Sequence, residues 1–299
     1  MRQLDIDPDY EEVGRLIRGG RYAEAVEMFE EHRARFQSAR FKLDHYKTAR
    51  FKAHVPNWGL SPEKIDAIDP LLDHPFGAAY IGANLVAYQK SAHFLFDSDF
   101  VEAVGAPEGE TGNSRHRHIF GGAIWNHHVK LTTAFNALHA KGDFVECGTY
   151  TGATAAAICK FCDFGSHPEK TFYLYDLFQH LDGDTHTPLP GHNDGLYEKA
   201  LEKFRSYPNV RVIRGRIPEI FGEVIPDKIA FLHIDMNDPV PELWALVHLY
   251  DRMVPGGVIL WDDYGHVDRQ DQLMMANAFV QSRGRRILEL PTGQGLLWT

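Results

Sequence analysis

From residue 142 to residue 299 the chain alternates short apolar runs with helix-like segments, and most of those runs end on glycine or aspartate. "FVECG" (144–148), "TFYLYD" (171–176), "VRVIRG" (210–215), "IAFLHID" (229–235) and "GVILWDD" (257–263) read as strands. Residues 153–162, 196–206, 241–253 and 267–282 read as helices. "ILELPTGQGLLW" (287–298) reads as two short strands around a Pro/Gly turn. Apolar strands alternating with helices predict an α/β fold with a parallel sheet covered on both faces. Ligands in such sheets bind outside the carboxyl ends of the strands, so the strand-end residues carry the functional question.

The first strand ends in "ECGTYTGAT", where Gly148 and Gly152 flank a turn that opens a helix. Glycines there let backbone approach a ligand, and the helix N-terminus offers free N–H groups. The spacing is not the G-x-G-x-x-G of a dinucleotide site, because Tyr150 stands where that pattern has a glycine. The second strand ends at Asp176, which suits ribose hydroxyls or, alternatively, a helix N-cap. Asp235 tips the fourth strand, with Asn237 and Asp238 beyond it, and Asp262 and Asp263 tip the fifth. Two adjacent carboxylates at the tip of a buried strand repel each other and need a neutralising group. If these strands are neighbours, three carboxylates converge, and oxygen ligands in that number suit Mg²⁺ or Ca²⁺. Capping of the following helices is the alternative, most of all for Asp238.

The 17 histidines include "RHRH" (His116, His118) and the pair His127–His128, none with metal-ligand spacing. His266, three residues after Asp263, is placed to take a proton. Cys159 and Cys162 form a C-x-x-C inside a helix with no second half, so they read as packing residues.

Residues 1–135 read as a helical and irregular region that serves as acceptor lid or oligomerisation surface, and 136–299 as the catalytic domain. Apolar positions at helical spacing over 10–29, broken by "RGG" at 18–20, predict a helical hairpin. The stretch 33–52 interleaves basic and aromatic residues, which fits an amphipathic helix or, less well, a nucleic-acid groove. "APEGETGNSRHRH" (106–118) reads as a loop, and 178–195 as a lid that orders on binding. The net charge of −10 argues against a nucleic-acid partner. No run of about 18 apolar residues occurs, so no membrane span is expected. A polar start and three cysteines predict a cytoplasmic protein without disulfides. The aromatic-rich N-terminal region predicts a homo-oligomer.

"GDFVECGTYTGATA", "YLYDLF", "LHIDMNDPVPE", "VPGGVILWDDYG" and "LPTGQGLL", in that order, resemble the macrocin O-methyltransferase (TylF-like) family of class I S-adenosylmethionine-dependent methyltransferases. The resemblance covers roughly residues 120–299. It implies a Rossmann-like, seven-stranded, mostly parallel sheet in which the fourth and fifth strands are neighbours. It implies that Glu146, Gly148, Thr149, Tyr150, Thr151 and Gly152 line the methionine part of S-adenosylmethionine. Asp176 would hold the ribose, and Gly215 and Arg216 would flank the adenine. Asp235 would border the cofactor and, with Asp262 and Asp263, bind Mg²⁺ that chelates hydroxyls of a small-molecule acceptor, a natural product or glycoside. Some members carry an aspartate base where this chain has Asn237, which cannot accept a proton at neutral pH. His266 and Asp235 are then the candidate catalytic groups. Two other readings compete: a nicotinamide dehydrogenase, disfavoured by the missing glycine pattern, and a non-catalytic interaction protein that retains the fold.

Overall fold

The computed structural model describes residues 123–180 and 195–299 throughout, together with 78–82, 85–88, 97–105 and the positions 12, 15, 16, 21, 24, 27, 28, 94, 189 and 192. The hairpin expected over 10–29 is represented only by isolated positions. The basic stretch 33–52, the loop 106–118 and most of 181–194 lie outside the described residues.

The chain divides into two compact units, residues 1–97 with 105–124, and residues 98–104 with 125–299. In the first, β1 (Ala78–Gly82) and β2 (Leu85–Tyr88) form an antiparallel hairpin. The helical expectation for this region missed it. Tyr80, Ile81, Val86 and Tyr88 favour strand.

The second unit opens with α1 (Ser98–Ala103) and α2 (Ile124–Ala137), and then alternates strand and helix. Its elements are β3 (Asp143–Cys147), α3 (Ala153–Phe161), β4 (Phe172–Asp176), α4 (Leu196–Lys203), β5 (Val210–Arg214), β6 (Ile229–Ile234), α5 (Pro239–Leu249), β7 (Met253–Trp261), α6 (Gln270–Gln281), β8 (Leu288–Glu289) and β9 (Gly295–Trp298). The seven strands run in the order β5-β4-β3-β6-β7-β9-β8. The first five are parallel, and β9 pairs antiparallel with both β7 and β8. This is the α/β, Rossmann-like, seven-stranded architecture expected, with β6 and β7 adjacent. The strand order reverses between β3 and β6, which makes the crevice at their carboxyl ends the expected ligand position.

Both faces of the sheet are covered, as every residue of β6 shows by being buried. On one face Val145, Cys147, Leu232, Ile234, Ile259 and Trp261 pack with Ala245, Leu246 and Leu249 of α5 and Ala276, Phe279 and Val280 of α6. The opposite face carries Phe144, whose ring lies 5.1 Å from Phe164, 5.8 Å from Phe172 and 5.2 Å from Phe231. Helix α5 starts earlier than its apolar pattern suggests, because Asp238 caps it by accepting from Val240 N at 2.9 Å and Pro239 fits the first turn. Cys159 and Cys162 are buried, with thiols pushed up in pKa by burial, to about 12 at Cys162, as suits packing residues. Among the described residues no helix is long and apolar enough to cross a membrane.

Candidate active site

The ladder hydrogen bonds of the sheet continue one residue past the strand ends. Gly215 N donates to Asp176 O at 3.0 Å, and Gly148 N to Tyr175 O at 2.9 Å. Asp235 N donates to Cys147 O at 2.8 Å, and Asp262 N to Ile234 O at 3.0 Å. Strand pairing therefore sets Gly215, Asp176, Gly148, Asp235 and Asp262 in one row across the top of the sheet. Neighbouring strands are about 4.8 Å apart, so Gly148 and Asp235 stand one strand spacing from each other. Gly148 has φ 94°, and a Cβ there would lie 1.9 Å from Asp235 O; no other residue fits.

A cavity of about 470 Å³ opens above this row, a size that suits a small molecule. Of the expected site residues, Gly148, Tyr150, Asp176, Gly215, Arg216 and Asp235 line it. Gln179, Leu189 and His192 from the expected lid segment also line it, as do Met236, Val240 and Trp244. Glu146, Thr149, Thr151 and Gly152 are not among the lining residues. Thr151 O accepts from Lys203 Nζ at 2.6 Å, and Thr149 Oγ1 is buried without a hydrogen-bond partner.

Asp176 does not cap a helix, since α4 begins at Leu196 after Gly195. Its Oδ2 accepts from Tyr150 N at 2.7 Å and its Oδ1 from Phe178 N. Tyr150 and Phe178 both have positive φ, 49° and 55°. The carboxylate thus ties down two backbone turns that side chains disfavour, and each oxygen retains a lone pair for a hydroxyl.

The β6–β7 end is built from side chains. Glu146 and His233 face each other across β3 and β6, with His233 Nδ1 3.0 Å from Glu146 Oε1, and both are almost fully buried. Two residues further on, the same sheet face presents Asp235 and Asp262. Asp262 Oδ1 is 2.9 Å from Lys130 Nζ, accepts from Asn126 Nδ2 at 2.9 Å and from Gln294 Nε2 at 3.3 Å, and lies 4.0 Å from His233 Nε2. Lys130 and Asn126 sit one turn apart on α2, so they share a helix face.

These contacts set the charges. Burial alone would raise the pKa of Asp262; Lys130 and His233 overcome that and hold it well below the carboxylate range. Burial would depress Lys130, but the charges of Asp262 and Asp235 leave it raised. Burial would also depress His233, yet Asp262 and Glu146 push it up to about 9. Among the described residues Asp235 has no cation at bonding distance, and burial together with the Asp262 charge raises it to about 8. Asn237 Nδ2 donates to Asp235 Oδ1 at 3.3 Å, so Asn237 orients the acid it stands beside.

The metal expectation meets a different donor set. The group whose ligand atoms lie within 4.8 Å of one another is His233, Asp235 and Asp262. Asp263 does not join it; its Oδ1 is 3.9 Å from His266 Nε2, and burial raises its pKa. The tip of β7 sends two successive side chains in different directions, so only Asp262 faces Asp235. Asp262 Oδ1 already accepts three donors, one a cation. The residues present therefore do not fit the expected Mg²⁺ ligation by Asp235, Asp262 and Asp263. His266 does not line the cavity and packs against Gly293, where a Cβ would lie 2.6 Å from its Nε2. His127 and His128 belong to no metal-binding group among the described residues; His128 sits edge-on to Phe100 at 5.7 Å.

Sequence reasoning missed Lys130, Asn126, His233 and Gln294. Three of them carried a signal: His233 is the one polar residue inside an otherwise apolar strand, on the same face as Asp235 two residues later, and Asn126 and Lys130 are four apart in a helix, with two histidines between them.

Residues 145–264, which include most of this row, match the family model Methyltransf_24, described as a methyltransferase domain. No curated protein matches the chain significantly. Among solved structures, the O-methyltransferase NovP aligns with a TM-score of 0.50 at 16% identity, over 60% of this chain and 81% of its own. CalS11, a calicheamicin methyltransferase, aligns with a TM-score of 0.50 at 13% identity, over 70% of this chain and 92% of its own. At these identities the likeness shows a shared fold. Residues 145–264 thus resemble a methyltransferase domain, and the sheet that holds them is Rossmann-like.

Proposed function

We propose that the chain is an S-adenosylmethionine-dependent methyltransferase that methylates a hydroxyl of a small natural product or glycoside. The observation that carries this reading is the cavity over the strand-order reversal, where Asp176, Gly148 and Tyr150 of the glycine turn, and Asp235 line the same space. An acid with free lone pairs, held by two backbone N–H groups, suits the vicinal hydroxyls of a ribose. Gly215 and Arg216 border the same cavity at the β5 end, where the adenine belongs. The hydroxylated acceptor rests on the macrocin O-methyltransferase resemblance and on the two solved neighbours, one an O-methyltransferase and one acting in calicheamicin chemistry by name.

The cofactor, when bound, supplies a methyl group made electrophilic by the positive sulfur. The chain must then hold the acceptor oxygen about 3–3.5 Å from that carbon and take its proton as the C–O bond forms and the C–S bond breaks. Asp235 is the group at the right place: it lines the cavity, and its raised pKa gives its ionised form enough basicity to hold that proton. His266 and Asp263 are not among the residues that line this cavity.

Calorimetric titration of S-adenosylmethionine tests the reading. Saturable binding that Asp176→Ala weakens and His266→Ala leaves unchanged is the expected result. Absence of binding in the intact protein would remove the methyltransferase reading and leave a fold retained for interaction.

A further inference from the structure

We propose that the ammonium group of Lys130 holds the place expected of a divalent ion, so that this site binds no Mg²⁺ and the protein works without one. The lysine is not a surface residue drawn to a nearby acid. Its side chain is 5% exposed, and it projects from α2, on the sheet face that carries Glu146, His233 and Asp235, to within 2.9 Å of Asp262 Oδ1. A buried ammonium is costly unless paired, so this geometry specifies both partners together. Asn126, one helical turn earlier, and Gln294, fully buried in the turn before β9, donate to the same oxygen. Three donors saturate Oδ1, so an ion would have to displace one of them or bind through Oδ2 beside the Lys130 ammonium. The ion would also enter beside a fixed ammonium and a histidine held between two carboxylates, and a double charge feels that repulsion twice over.

The adjacent pair Asp262–Asp263 is thereby relieved without an ion: Asp262 is neutralised by Lys130, and Asp263 is turned toward His266. Lys130 does not line the cavity, so it acts through Asp262 as a positioning residue, setting the charge that Asp235 faces.

The test needs no methyl donor and no acceptor, so its outcome is independent of the methyltransferase reading. Mg²⁺ and Mn²⁺ are titrated calorimetrically into the full chain, into Asp262→Asn, into Lys130→Met and into the double variant Lys130→Met/Asp262→Asn. The wild type is expected to show no saturable binding at millimolar ion. Lys130→Met frees Asp262 and is expected to bind Mn²⁺ at least ten-fold more tightly than the wild type, and the double variant is expected to lose that gain. A merely structural lysine would not produce an ion site when removed. Wild-type binding that Asp262→Asn abolishes overturns the proposal, and so does a folded Lys130→Met that binds no better than the wild type. Should Lys130→Met fail to fold, the wild-type and Asp262→Asn titrations still decide.

Discussion

On the β3–β4–β5 side of the cavity, polar groups are fixed by backbone: Asp176 accepts two main-chain N–H groups, and Gly148 lies against the main chain of Asp235. On the β6–β7 side they are fixed by other side chains, and Asp262 depends on Asn126, 136 residues earlier in the sequence, and on Lys130. The first side is a geometry that a ligand completes with hydrogen bonds. The second is a charge balance that is complete within the protein. The two should therefore fail differently when mutated: loss on the first side should appear mainly in ligand affinity, loss on the second mainly in stability.

The largest expected effect is on the second side. Asp262→Ala strands a buried ammonium and is expected to cost roughly 3–5 kcal/mol of folding stability. Urea denaturation reads the loss, while S-adenosylmethionine affinity of the remaining folded protein should change by no more than about two-fold, less than the loss of one hydrogen bond. A variant as stable as the wild type would show that Lys130 finds another partner and that the charge balance is looser than described. Asp176→Ala is next and sharpens the contrast. Loss of charge-assisted bonds to the ribose is expected to weaken cofactor binding roughly 10- to 100-fold, about 1.5–3 kcal/mol. Its stability cost comes only from releasing the positive-φ turns at Tyr150 and Phe178 and should be the smaller part.

The same contrast explains what could be read from the sequence. The alternation of the sheet and the first side were legible because they are local: a strand, a glycine turn, a helix, and an acid at the next strand end; the adjacency of β6 and β7 came only from the family resemblance. The row of strand-end residues then follows from pairing alone. The β1–β2 hairpin was missed because "AAYIGANLVAY" carries strand preference in a region judged by its helical periodicity. On the second side, the strand-end aspartates were visible but their partners were not. Nothing near Asp262 in the chain announces Lys130, because the contact exists only once α2 has docked on the sheet. A reading confined to the acids counts three negative charges and infers an ion; the folded chain supplies its own cations.

Asp235 lies where the two sides meet, and its titration measures how far the charge balance reaches. A carboxyl ¹³C NMR titration is expected to place it near the value of about 8 that burial and the Asp262 charge impose, while Asp262 remains ionised through the acid range. Removing the neighbouring charge with Asp262→Asn is expected to lower it. Because the folded value exceeds the unfolded one, the group contributes its stability in full below the unfolded pKa and loses it as pH rises toward 8. If Asp235 is also the base, methyl transfer rises across the same range as its ionised form appears. An Asp235 that titrates like an ordinary surface carboxyl would remove both the coupling and its role as base.

The smallest effect separates Asp235 from a second buried acid of the same sign. Glu242, on α5, is almost fully buried, its Oε1 accepting from Gln272 Nε2 at 2.7 Å and from Met236 N at 3.3 Å. Burial raises its pKa to about 8 as well, so it too withdraws stability as pH rises from its unfolded value through 8. Glutamine mimics the protonated acid in shape but cannot ionise. Glu242→Gln should therefore be nearly neutral at pH 5 and stabilise the fold by roughly 1–3 kcal/mol at pH 9. Thermal unfolding at the two pH values checks this, and the slope that remains in the variant belongs to the other shifted buried groups, Asp235 and His233. An equal effect at both pH values would mean that Glu242 is ionised throughout, with the Gln272 and Met236 donors sufficient to hold its charge inside the protein.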